Sequence, residues 1–134
     1  MAAWVPPPFT KLLGLKVLQH SPDRTEAELV AREELLNRNN VLHGGAVMAL
    51  GDTLGGMTAS ISVPEGGRTA TIESKTNFFA PISKGDTARA VTTPLHIGRT
   101  TMVMQTNITR GDGKLAAIIT QTQIVLPLKQ QPSE

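Results

Sequence analysis

The chain has 134 residues, a length that suits one compact domain with a core of its own. It contains no cysteine, which excludes disulfides, thiolate metal sites and a cysteine nucleophile, and which fits a reducing compartment. The net charge is only +2 and aromatic residues make up 3%, so a nucleic-acid partner is not expected.

Residues 1–8 read as a Pro-rich tail and residues 127–134 as a polar one, and both are expected to fray. The opening MAAWVPPPF has no basic region followed by an apolar one, so no signal peptide is expected. FTKLLG reads as a short helix. LKVLQHS and RTEAELVAR read as a hairpin around SPDR, the second strand having the weaker pattern. NVLHGGAVMALGDTLGG, residues 40–56, begins a helix whose apolar stripe runs on to Ile61. The low-charge stretch Val41–Pro64 holds Asp52 and five glycines, which makes it a poor membrane span, and a cytoplasmic protein is expected. VPEGGR is a turn. TATIESKTNFF then alternates, with Ala70, Ile72, Ser74, Thr76 and Phe78 on one face and Thr71, Glu73, Lys75 and Asn77 on the other. APISKGD is a loop. TARAVTTPLHI is a long strand whose Pro94 points to an edge or a bulge. RTTMVMQTNIT follows, RGDGK supplies an Asp-Gly turn, and LAAIITQTQIVLPL is the longest β-rich run. The sum is an α+β chain, in which about five mostly antiparallel strands form a curved sheet around one long central helix. No repeat or linker divides it, so a single domain over residues 1–134 is expected.

At 100° per residue, Val47, Leu50, Leu54, Met57 and Ile61 form one stripe of the central helix, its expected sheet-facing side. Asp52 lies opposite, beside Met48, Gly55, Gly56 and Ala59, and is the helix's only charge. Each glycine inside a helix costs roughly 1 kcal/mol relative to alanine, so Gly51, Gly55 and Gly56 call for a packing or functional reason. Two readings of Asp52 stand side by side. It is a structural acid, at an exposed edge or satisfied by a hydroxyl, or it is a catalytic carboxylate at a seam with a partner. His43-Gly44-Gly45 at the helix start has chemistry of its own. The first N–H groups of a helix lack internal acceptors and sit at the positive end of its dipole. Glycines let a substrate carbonyl approach them, as an oxyanion hole requires. The structural alternative is a glycine turn with His43 as an ordinary cap.

NRNNVLHGGAVMALGDTLGG resembles the signature of hotdog-fold thioesterases of the phenylacetic-acid-pathway (PaaI) and 4-hydroxybenzoyl-CoA thioesterase type. TIESKTNFFAPISKGD and HIGRTTMVMQTNITRGDGKLAAIITQTQIV are similar to that family's later strands, and the likeness spans about residues 10–126. The resemblance implies a hotdog fold and hydrolysis of an acyl-CoA thioester to free acid and CoA. It implies that Asp52 is the nucleophile or general base and that the Gly44 N–H polarises the carbonyl. It places His43 near the thioester sulfur and Asn37 on the carbonyl or the lytic water. Gly45, Gly56, Thr71, Phe79, Ala80, Pro81, Gly98, Arg99 and Thr100 fall on substrate-binding positions. One position departs from the pattern. Related enzymes often carry Ser or Thr one turn after the acid, where this chain has Gly56, so that hydroxyl is either lost or supplied by Thr53 or Thr71.

In that family the acid and the His-Gly segment come from different subunits, so a homodimer, and from it a tetramer, is expected. CoA phosphates need cations at the pocket mouth, for which Arg99, Lys84 and Arg68 are candidates, each with a solvated surface charge as its alternative. Of Phe78 and Phe79, one is expected in the core and the other along the substrate channel. The resemblance implies no cofactor beyond the CoA of the substrate, and His20, His43 and His96 lack metal-ligand spacing. The competing functions are a hotdog hydratase or dehydratase, and a non-catalytic acyl-CoA-binding hotdog, which would be expected to lack the acid.

Overall fold

The structure, a computed structural model, describes residues 5–127. Most of the two expected tails, residues 1–4 and 128–134, lies outside them. A short helix α1 (Pro8–Leu13) leads into β1 (Lys16–His20) and β2 (Thr25–Val30). Proline stands at its first position, where the missing N–H costs nothing, and Gly14 ends it in the left-handed region (φ 81°). The Arg32 guanidinium, just past β2, donates to the Leu12 and Leu13 carbonyls at 2.5 Å and ties α1 down. A 3₁₀ turn (Glu33–Leu35) precedes the central helix α2 (Gly44–Ile61). Then come β3 (Arg68–Phe78), β4 (Thr87–Ile97), β5 (Thr101–Thr109) and β6 (Leu115–Leu126).

Among the described residues the strands number six where about five were expected, because RTEAELVAR does form β2. They make one sheet in the order β1-β2-β4-β5-β6-β3, antiparallel at every pairing. The sheet wraps α2, and Leu50 and Leu54 lie fully buried against Leu29, Ile108 and Ile119. No helix among the described residues is long and apolar enough to cross a membrane.

Three details correct the sequence reading. First, β3 is bulged between Thr71 and Glu73. The extra residue breaks the period of two, so Thr71 joins Ser74, Thr76 and Phe78 on the helix-facing side, opposite Gln123, Gln121, Ile119 and Ala117. Second, Gly55 and Ala59 are buried with the sheet-facing set, while Asp52 and Met48 are exposed. A twisted sheet covers a different arc of the helix at each level, and towards the C-terminal end of α2 the cover reaches Gly55 and Ala59. Third, Ile61 is 38% exposed at the end of the helix. Pro94 does sit at a bulge, between Pro94 and His96, beyond the last pairing with β2 at Thr92, so no partner strand lacks its N–H there.

The glycines of α2 have separate causes. A Cβ on Gly51 would stand 2.2 Å from Ile119 Cδ1, and one on Gly55 2.1 Å from Gln121 Oε1. Both let β6 side chains press against the helix backbone on successive turns. Nothing lies within 4 Å of a Cβ built on Gly56.

Candidate active site

His43 is the N-cap of α2. Its backbone is extended (φ −59°, ψ 136°) and its Nδ1 accepts the Gly45 N–H at 2.8 Å. A neutral ring that accepts at Nδ1 carries its proton on Nε2. The His43 carbonyl accepts from Ala46 and Val47. The Gly44 N–H is therefore the donor of the first turn left without a partner among the described residues.

Asn37 shapes the approach to that donor. Its Oδ1 accepts from Asn39 N–H at 2.9 Å and from Val41 N–H at 3.4 Å, while Asn40 takes the left-handed conformation (φ 58°) that asparagine tolerates. Only the amide nitrogen of Asn37 is left to donate outward. Asn37 and Gly44 line one recess of roughly 390 Å³ together with Phe78, Phe79, Ala80 and Pro81. Neither phenylalanine is a core residue: Phe78 is 53% and Phe79 56% exposed, since the strand ends at Phe78 and Phe79 leaves the pleat. Two free N–H donors at the positive end of a helix suit a carbonyl oxygen that gains negative charge.

Asp52 stands eight residues further along α2, about 12 Å at the helical rise. Its Oδ1 accepts from Thr71 Oγ1 at 2.7 Å and from Gln121 Nε2 at 3.1 Å. Its Oδ2 accepts from no described residue. Gln123 Nε2 in turn donates to Thr71 Oγ1 at 2.6 Å. Thr53 donates to the Ala49 carbonyl of its own helix, so Thr71 is the hydroxyl on the acid. Gly56 and Thr71 line the recess beside Asp52, with Pro7, Phe9 and Met57. This arrangement meets the structural reading of Asp52 halfway, since a hydroxyl does satisfy one oxygen, yet it leaves the second oxygen free in an open recess.

The remaining candidates divide. His43 and Gly45 line a third recess, against Phe9 and Leu12 of α1, away from Asn37 and Asp52. Gly98, Arg99 and Thr100 form the β4–β5 turn and line none of these recesses. A Cβ on Gly98 would meet the Thr101 carbonyl at 2.8 Å, which explains that glycine by packing alone. Arg99 and Arg68 lie at one end of the sheet, where Thr101 and Ala70 both pair with Ile124. Lys84 lies at the other, its N–H on the Asn40 carbonyl, near the Gly44 recess. Gln121 and Gln123 were not foreseen. Their signal was two amides at alternate positions of ITQTQIV, both of which prove 1% exposed on the helix-facing side.

Known proteins share this architecture. The sequence model of the Thioesterase superfamily matches residues 39–117, more than half of the chain. A thioesterase of Haemophilus influenzae superposes with a TM-score of 0.82 at 28% identity, over 88% of this chain and 82% of its own. A mutant of the phenylacetic acid degradation protein PaaI from Thermus thermophilus gives 0.81 at 25% identity, over 88% and 98%. A Streptococcus mutans protein bound to acetyl CoA gives 0.79 at 25% identity, over 87% and 92%. Six antiparallel strands around one long helix thus recur in a known setting: the chain belongs to the Thioesterase superfamily, a hotdog-fold family of thioester hydrolases.

Proposed function

We propose that the protein is an acyl-CoA thioesterase whose active site is shared between two copies of the chain. One observation carries this reading. The free donor at Gly44 and the free oxygen of Asp52 are separated by about 12 Å of helix, yet both must reach one carbonyl carbon at about 3 Å. A second copy closes that gap. β3 is an edge strand of 11 residues, with Ile72 59% exposed, and among the described residues it pairs only with β6. Such an edge invites a partner strand. Phe78 marks the level of Gly44 on β3, since a Cβ on Gly44 would lie 3.3 Å from Phe78 Cζ, and Thr71 marks the level of Asp52. An antiparallel two-fold pairing of β3 with itself, centred near Ser74 and Lys75, sets the Asp52 of one copy against the Gly44 recess of the other. The same operation brings Arg68 and Arg99 of the second copy towards Lys84 of the first, a cationic rim for CoA phosphates. A tetramer of two such dimers follows the family habit.

In the proposed reaction the thioester oxygen docks on the Gly44 N–H and the Asn37 amide. Asp52 of the other copy attacks the carbonyl carbon through Oδ2, or takes a proton from a water that attacks it. The carbonyl electron pair moves onto the oxygen held by those donors. As the pair returns, the C–S bond breaks and CoA leaves as its thiolate. Direct attack leaves a mixed anhydride that water opens, and the water route gives the acid at once. His43 holds the helix start in place through its cap. No cofactor beyond the CoA of the substrate enters these steps, and the proposed setting is the cytoplasm.

Release of free thiol from a panel of aryl and aliphatic acyl-CoAs tests this reading. Hydrolysis of at least one class, with CoA and free acid as products, is the expected result. Tight binding without turnover would instead indicate an acyl-CoA-binding protein, and addition of water across an enoyl-CoA a hydratase.

A further inference from the structure

Asp52 is held by a hydrogen-bond chain whose direction can be read. Gln121 and Gln123 are both 1% exposed, and a buried amide is costly unless its N–H groups find acceptors. Gln123 Nε2 lies 2.6 Å from Thr71 Oγ1, and Thr71 Oγ1 lies 2.7 Å from Asp52 Oδ1. A threonine hydroxyl has one proton. Because Gln123 gives its N–H to that oxygen, the proton of Thr71 points at the carboxylate. Turning the Gln123 amide over would put its carbonyl on Thr71 and draw that proton away, leaving two oxygens facing each other at 2.7 Å without one. The amide orientation is thus dictated by the acid. Gln121 adds a second donor to the same Oδ1, and its own Oε1, buried and without a partner, packs into the space that Gly55 leaves. Both donors fall on one oxygen and none on the other.

Resting on the thioesterase reading above, we propose that Gln123 is a positioning residue that acts through Thr71, with Gln121 beside it, to anchor Oδ1 of Asp52 and present Oδ2 to the thioester. The chain takes the place of the hydroxyl that Gly56 lacks, and it reaches the acid from the sheet instead of from the helix. The β3 bulge makes it possible, since without it Thr71 would face away from α2. The helix glycine makes it fit, since any side chain at 55 would displace the Gln121 amide.

Steady-state hydrolysis by the full chain, paired with thermal melting, tests the relay. Thr71→Val removes the hydroxyl at nearly constant shape, and kcat falls about 10- to 100-fold with KM nearly unchanged, the scale of one hydrogen bond to a charged group. Thr71→Ser keeps the donor and restores most of the rate. Gln123→Met lowers kcat in the wild-type background and adds little on top of Thr71→Val, because a broken relay cannot be broken twice. Wild-type kcat in Thr71→Val, or losses that multiply in the double variant, would overturn the proposal. Should Gln123→Met fail to fold, the exposed Thr71 decides alone, and equal rates for its Val and Ser variants overturn the relay. Asp52→Asn, run alongside, separates the two levels. If it is inert while Thr71→Val is fully active, the relay alone fails; if it hydrolyses as fast as wild type, the role of Asp52 in the reading above fails and the relay with it, and if wild type hydrolyses no acyl-CoA, the thioesterase reading itself fails.

Discussion

At the start of α2 the free donor of the helix is backbone; eight residues on, the acid and everything that holds it are side chains. The Gly44 N–H needs only a helix that begins there, and the cap at His43 and the turn at Asn37 see to that. Asp52 depends on Thr71, Gln121 and Gln123, which come from two strands and meet the acid only if the β3 bulge and the Gly55 gap are both in place. The two stations therefore differ in what can break them. Side-chain replacement at the first reaches only the Asn37 amide and leaves the Gly44 N–H, but it removes the second outright, whereas backbone replacement removes the Gly44 donor and leaves the acid.

Asp52→Asn gives the largest effect. It keeps the shape but removes the charge, and thiol release should fall by roughly 10²- to 10⁴-fold, the range for a lost acid–base group, with little change in melting temperature. Gly44→Pro comes next. Proline is tolerated at the first position of a helix, and the extended His43 before it already has the geometry a proline requires, so stability should stay within about 1 kcal/mol. The N–H is gone, however, and kcat should fall roughly 10²- to 10³-fold, as for one oxyanion donor. Gly44→Ala, which keeps the N–H and only nudges the Phe78 ring, should stay close to wild type. Equal damage from both would mean that space at Gly44 matters and the donor does not. Gly55→Ala should cost about 1–3 kcal/mol in denaturant unfolding, because the added carbon drives into the Gln121 amide, and the rate should fall with it.

The smallest effect lies outside both stations, in the RGDGK turn. Asp112 accepts from the Arg110 guanidinium and from the Lys114 N–H, which hold its carboxyl down at about 2, from an ordinary 3.8. A depressed folded value means that the contribution is complete above the ordinary value and is lost as the pH falls through the depressed one. Asp112→Asn should thus lower the melting temperature slightly at neutral pH. That gap should close between about pH 4 and 2, while kcat at neutral pH stays unchanged.

The backbone station was legible in the sequence because glycines after a histidine, at the head of an apolar run, leave little else for the chain to do there. Asp52 was legible as the one charge on that run. Its supports were not. A bulge at Ile72 shifts every later side chain of β3 by one face, and strict alternation cannot register an extra residue, so Thr71 was placed with Glu73 and Lys75. Gln121 and Gln123 sat in a run read only as β-rich, and alternation there does not tell which face meets the helix. The hairpin at SPDR, the Asp-Gly turn and the bulge at Pro94 all came through, because turn chemistry and proline act locally. The curvature that buries Gly55 and Ala59 is a property of the whole sheet and of no single residue.

Mixing two inactive variants tests the shared site most directly. Asp52→Asn and Gly44→Pro are each expected to be nearly inert, and neither replaces a residue of β3. Coexpressed in equal amounts they form dimers of which about half are hybrids, and each hybrid holds one site with both lesions and one with neither. The account predicts recovery to roughly a quarter of wild-type hydrolysis, since half of the dimers then carry one good site of two. No recovery, in a mixture shown to contain hybrid dimers, would mean that Asp52 and Gly44 of the same chain act together, contradicting the two-chain site.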